Sequence, residues 1–175
     1  MEYVFTLKYQ LPAPDGEQVS LAQRLASAGC ADARVSAGLR GRLMLKFSRE
    51  ATQADAALMS ALEQVRRAVP GARLIEAGPD LVGLTDVAGV VGVSRQNMRK
   101  LMLTHPSTFP APMHEGNSSS VWHLVDVLGW MKARGSYRIE ASVLEVAAVT
   151  KSINLMREGR HLEAGRREEL QRLMA

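Results

Sequence analysis

Apolar side chains follow two different spacings along the first eighty residues. Around Tyr3 to Tyr9 and Leu43 to Phe47 they occupy every second position, which is typical of strands with one buried face. Around residues 21–28 and 58–69 they return every three or four positions, which is typical of amphipathic helices. Two weaker strands complete the pattern. The predicted strands are 3–9, 33–36, 43–47 and 73–77, and the predicted helices are 21–28 and 58–69.

This order, βαββαβ, predicts an α+β domain over residues 1–79 with a ferredoxin-like sheet and both helices on one side. Such folds serve many functions, so dimerisation, partner binding and ligand binding all stay open. RNA recognition would require aromatic side chains on the open face of the sheet. The run from Arg40 to Phe47 begins like such a motif. However, Arg42 and Met44 hold the stacking positions and Phe47 has core parity, so RNA binding is disfavoured.

A second pattern begins after the short boundary at residues 78–80. Residues 84–101 combine a small Ala88 with Gly92 four positions later, and with apolar positions on either side. This predicts two helices around a tight turn, with Gly92 at positive φ and Ala88 where the helices cross. Thr85 is the expected cap of the first helix, and Ser94 that of the second. Met98 is expected to anchor the second helix from behind.

The remaining positions of the second helix carry long basic or amide side chains. Arginine pairs with guanine, and asparagine or glutamine with adenine, in the major groove of DNA. The backbone amides that follow Ser94 suit phosphate groups. No acidic residue occurs from Ser94 to His114. The predicted DNA-reading side chains are Arg95, Gln96, Asn97, Arg99 and Lys100.

The next residues extend this arrangement. Phe109-Pro110, a polar turn at 116–118, a strand around Trp122 and a helix over 124–134 follow in order. With the two helices, this series resembles the winged helix-turn-helix of AlpA-type regulators and phage excisionases, in the MerR-like superfamily, over residues 80–136. The resemblance implies that the second helix, reached through Ser94, enters the major groove. It also implies that His114, Asn117 and Ser118 of the wing approach the DNA backbone or minor groove.

The last segment, residues 137–175, shows another helical stripe. Apolar residues from Ile139 to Met156 step by three and four, and a charged helix is expected near 166–174. Such a stripe does not identify its partner. Packing against the same chain and packing against a second copy therefore both remain open.

The composition excludes some classes of protein but does not by itself indicate a function. The 175 residues carry a net charge of +4, 46% hydrophobic and 23% charged residues, and a single cysteine. That balance is typical of a globular protein without disulfides, and no apolar run is long enough for a membrane span. No secretory signal is apparent at the N-terminus, so a cytoplasmic location is expected. The spacing of His105, His114 and His123 fits no compact metal site, and we expect no cofactor and no enzymatic activity.

The sequence therefore predicts a sequence-specific, double-stranded DNA-binding transcriptional regulator that works as a homodimer. One alternative is an excisionase-like factor that bends DNA. Another is a protein-interaction adaptor or antitoxin-like partner that uses residues 1–79. A gel shift with the upstream region of its own gene distinguishes a regulator from an adaptor.

Overall fold

The computed structural model describes residues 1–12, 18–37, 39, 41–116 and 119–174. Within these ranges the chain forms seven helices, a four-stranded antiparallel sheet and a three-stranded antiparallel sheet. The predicted α+β class is therefore confirmed.

The first sheet and its two helices come from the N-terminal part of the chain. All neighbouring strands are antiparallel, in the spatial order β2-β3-β1-β4. The elements follow the predicted order along the chain, strand, helix, strand, strand, helix, strand. They are β1 (Glu2–Gln10), α1 (Gln18–Ser27), β2 (Ala33–Ala37), β3 (Arg42–Glu50), α2 (Ala54–Ala68) and β4 (Arg73–Gly78).

The alternation in β1 and β3 places one face of this sheet in the first hydrophobic core. Phe5 and Phe47 face each other in register, and their stacked rings lie 4.9 Å apart. Leu58 and Leu25 bring α2 and α1 into the same core. Phe47 is fully buried, as its parity predicted, so it is not available on the open face of the sheet.

The second sheet and three helices follow directly. The central strand of this sheet is β7, which pairs with β5 on one side and β6 on the other. Met98, Trp122 and Leu128 belong to a second core that these elements enclose. The elements are β5 (Leu81–Val82), α3 (Leu84–Val91), α4 (Arg95–Thr104), β6 (His114–Glu115), β7 (Ser120–His123) and α5 (Leu124–Ala133).

The helix α6 (Ala141–Gly159) belongs to both cores, whereas α7 (Ala164–Met174) belongs to neither. Val146 is buried in the first core and the adjacent Ala147 in the second. Most of the predicted apolar stripe therefore packs against its own chain. Its last residue, Met156, remains 72% exposed. None of the described helices is both long and apolar enough to cross a membrane.

Candidate nucleic-acid interface

The turn between α3 and α4 has the geometry that the sequence predicts. Gly92 adopts φ of 74° and ends α3, while the backbone N–H of Val93 donates to the carbonyl of Ala88 at 2.9 Å. Ala88 is buried, which lets the turn close on it. Ser94 caps α4, because its Oγ accepts a hydrogen bond from the backbone N–H of Asn97 at 3.1 Å. The start of α4 is therefore fixed by local contacts.

The predicted cap of α3 is wrong by two residues. The helix begins at Leu84 with Gly83 as its N-cap, and Thr85 lies inside the first turn. Asp86 takes the capping role, since its Oδ2 accepts a hydrogen bond from the backbone N–H of Gly83 at 2.9 Å. A carboxylate at the third helical position can reach back to the cap residue, and it also suits the positive end of the helix dipole.

We expect Gly92→Ala to lower the free energy of unfolding by about 1–2 kcal/mol, since the left-handed conformation penalises any Cβ. A Cβ at Gly92 would meet nothing within 4 Å, so backbone strain is the only cause. Gly89→Ala is the matched control. It also meets nothing within 4 Å but lies inside α3, where alanine should stabilise by about 0.5–1 kcal/mol. Urea denaturation should therefore give opposite signs; equal effects would contradict the assigned turn.

All five residues of α4 that the sequence singles out are exposed. Met98 is fully buried, and Leu101 and Met102 pack partly into the second core. No ion pair of the described residues involves the three cations of the helix. The exposed predicted residues are Arg95, Gln96, Asn97, Arg99 and Lys100.

The structure divides these residues instead of placing all of them on one face. Gln96, Arg99 and Lys100 line a shallow depression together with Leu103. Arg95 lies on a different side of α4, in a cleft that faces the β6–β7 hairpin. Asn97 lines neither depression. The helical period of 3.6 residues explains the division, because positions 96, 99, 100 and 103 share one side of α4 away from Met98, whereas 95 and 97 lie on its two flanks.

The β6–β7 hairpin stands beside Arg95. Ser119 and Ser120 share the cleft with Arg95 and Thr85, so the hairpin and both helices meet there. His114 is exposed on β6, where it is paired with Val121. Asn117 and Ser118, the other two predicted wing residues, lie outside the described part of the chain. Glu115 is exposed beside His114 and puts a negative charge on this hairpin.

An aromatic cluster supports the far end of α4. The Nε1 of Trp122 donates to the carbonyl of Pro110 at 2.9 Å, and Phe109 packs edge-on against both Trp122 and Trp130. The guanidinium of Arg134 lies 4.8 Å from the ring centre of Trp130. These contacts hold the segment that connects α4 to the hairpin, so they fix how the two parts stand to one another.

A buried polar junction also positions the module, and the sequence reading missed it. The Nδ1 of His123 lies 2.6 Å from one carboxylate oxygen of Asp80, and Asn154 Nδ2 donates to the other at 2.7 Å. Asn154 also exchanges two hydrogen bonds with the backbone of Ala77. The Thr150 hydroxyl donates to the carbonyl of Pro79 at 2.7 Å. The only signal of this junction in the sequence is that Thr150 and Asn154, two polar residues four positions apart, lie beside the apolar stripe of α6.

A second missed residue is Leu103. Its side chain is 58% exposed at the centre of the polar face of α4. An apolar residue in that position costs solubility without adding to the core. The detectable signal is a leucine that falls on the same helical face as Gln96 and Arg99.

The histidines are placed separately. His123 is buried with Asp80, His105 lies beside Trp130 and Arg134, and His114 is on the hairpin. Among the described residues, no three histidine, cysteine, aspartate or glutamate side chains lie close enough together to hold a metal ion.

Comparisons of the chain with protein-family models, with curated proteins and with solved structures found no match.

Proposed function

We propose that residues 80–136 are a winged helix-turn-helix and that the protein is a sequence-specific, double-stranded DNA-binding regulator. One observation carries the proposal: all five predicted side chains of α4 are exposed, and its three cations have no ion-pair partner among the described residues. An ordinary solvated helix normally mixes both signs of charge. A helix prepared for the major groove instead offers donors to bases and positive charge to phosphates.

The central face of α4 suits base recognition. Arg99 is suited to guanine, whose O6 and N7 accept a bidentate pair of hydrogen bonds, and Gln96 is suited to adenine. Leu103 can contact the methyl group of thymine from the same face. Lys100 is a point charge at the edge of this face and fits a phosphate oxygen.

The flank of α4 suits the DNA backbone. Arg95 shares its cleft with the hydroxyl groups of Ser119 and Ser120 and with Thr85 at the start of α3. Hydroxyl and guanidinium groups in one concave place are donors for a phosphate. His114 is exposed on the same hairpin and can add a further contact, whereas the negative charge of Glu115 repels the phosphates of DNA there. We therefore assign the hairpin a weaker role than α4.

The N-terminal domain, which we propose to be ferredoxin-like, would carry the regulatory or assembly function. A second candidate, a protein adaptor or antitoxin-like partner, is supported by the exposed apolar residues Val4 and Met44 on the open face of its sheet. An architectural, excisionase-like role would use the same α4 face but would also bend the duplex.

Selection from a random duplex library with the full chain tests the proposal. We expect enrichment of a paired half-site, because a single recognition helix covers little area. About six to ten phosphate or base contacts in a dimer, part of them on bases, imply a slope of log K against log salt of roughly −4 to −7. A library without enrichment, or a slope near zero, would contradict the proposal and favour the adaptor. Enrichment together with strong bending in a circular-permutation assay would favour the architectural role.

A further inference from the structure

The C-terminal helix α7 buries no side chain against the described part of its own chain. None of its 11 residues is buried, although it carries Leu173 at 74% exposure and Met174 at 77%. Leu170 lies on the same side, one turn earlier. A helix this short gains little stability from its own hydrogen bonds, so it normally depends on packing of its apolar side.

An apolar groove that no described residue fills lies between α2 and α6. It encloses about 510 Å³, and both of its methionines are exposed, Met59 at 46% and Met156 at 72%. The groove is lined by, among others, Asp55, Met59, Leu62, Val149, Ile153 and Met156. The lining residues span about two turns of each helix, ~12 Å, so the groove can take the last two turns of the ~16 Å helix α7.

The charges at the two surfaces are complementary. Asp55, at the beginning of α2, is the only charged residue among the described ones that line the groove, and it is exposed. The apolar side of α7 is preceded, one turn earlier, by Arg166, which lies 3.0 Å from Glu169 but stays 64% exposed and can therefore also face an acidic group. A basic end followed by an apolar side thus fits an acidic end followed by an apolar groove.

The chain does not use α7 to cover its own groove. The beginning of α7 is tied to the end of α6, where the carbonyl of Gly159 accepts hydrogen bonds from the Leu162 backbone at 3.1 Å and from Arg167 Nη2 at 2.9 Å. With α7 held there, Met156 stays exposed.

We propose that α7 of one copy lies in the α2–α6 groove of a second copy, and that the exchange is reciprocal. The inference rests on the proposed function for its reason to expect a dimer, since paired half-sites call for two recognition helices. A reciprocal contact is closed, so it gives a dimer and not a filament. Two short helices in two grooves bury a total surface of ~1,200 Å², which is at the small end of stable interfaces. The dimer should therefore dissociate in the micromolar range.

Sedimentation velocity of the full chain over a concentration series is the first test. We expect a monomer–dimer equilibrium that Leu173→Glu and, separately, Met156→Glu weaken by about tenfold to 100-fold each. Arg172→Gln, which changes the charge by the same amount on the side of α7 away from Leu173, should leave the equilibrium unchanged. A chain that remains monomeric, or a dimer that neither glutamate weakens, would overturn the inference. Because the readout contains no DNA, it is independent of whether α4 binds DNA.

Disulfide trapping identifies whose helix occupies the groove. One preparation carries Met156→Cys and the other Leu173→Cys; the native Cys30 is buried, and that burial raises the pKa of its thiol. After mixing and mild oxidation, we expect a mixed disulfide dimer in excess over either symmetric product. A chain that carries both Met156→Cys and Leu173→Cys shows whether α7 instead folds back onto the groove of its own copy. An internal disulfide that forms at high dilution would overturn the inference.

Discussion

Asp80→Ala is expected to lower the free energy of unfolding by about 2–5 kcal/mol, because it leaves two buried groups without a hydrogen-bond partner, at about 1–3 kcal/mol each. Asp80 is 1% exposed, and its carboxylate lies between His123 of the second sheet and Asn154 of α6. Its removal leaves the Nδ1 of His123 and the amide of Asn154 without their acceptor. Both groups stay buried, so they must lose hydrogen bonds that water cannot replace.

Asp126→Ala is the matched control for this prediction. Asp126 also bridges to α6, through Lys151 at 2.8 Å, but both side chains are partly exposed. An exposed pair contributes about 0–1 kcal/mol. Trp122 and Trp130, the two tryptophans of the chain, both lie in or against the second core, so their fluorescence reports on the unfolding of that core. If Asp80→Ala costs no more than Asp126→Ala, the junction does not hold the module in place.

Arg99→Ala is expected to reduce affinity for the selected DNA site by roughly 5- to 150-fold, the range for one good base contact. Arg99 is exposed on the central face of α4, so its removal leaves the fold intact. Affinity for unrelated duplexes should fall much less, because that binding depends on total charge. Fluorescence anisotropy with both duplexes measures the two effects.

Arg138→Ala controls for the lost charge. Arg138 is exposed between α5 and α6, outside the proposed interface. Its substitution removes the same side chain and the same charge. It should change the two affinities slightly and equally. An Arg99→Ala variant that behaves like Arg138→Ala would contradict the assignment of α4 as the reading helix.

Local patterns predicted most of the elements and the turn of the candidate site. Alternation in β1, helical spacing in α2 and the glycine at position 92 each depend on a few neighbouring residues. The cap of α3 was misassigned because Thr85 and Asp86 are both plausible local partners, and only the backbone decides between them. The cap of α4 had a single candidate, Ser94, and was predicted correctly.

The remaining features depend on residues far apart in the chain. Asp80, His123 and Asn154 meet only after both sheets and α6 have packed, and nothing in their local sequence marks them as partners. The position of Arg95 beside the hairpin has the same origin, because the hairpin is formed by later residues. The sequence could show that α6 has an apolar stripe, but not that adjacent residues of it enter two cores.

The central claim is that Arg99 reads a base in the major groove, and one substitution in the DNA tests it directly. Exchange of a guanine in the selected site for 7-deazaguanine removes the N7 acceptor without changing base pairing or the minor groove. At the guanine that Arg99 contacts, the native chain should lose about 5-fold or more in affinity. The Arg99→Ala variant should be insensitive to the same exchange. If every guanine of the site can be exchanged without loss, or if both proteins lose equally, α4 does not read the major groove through Arg99.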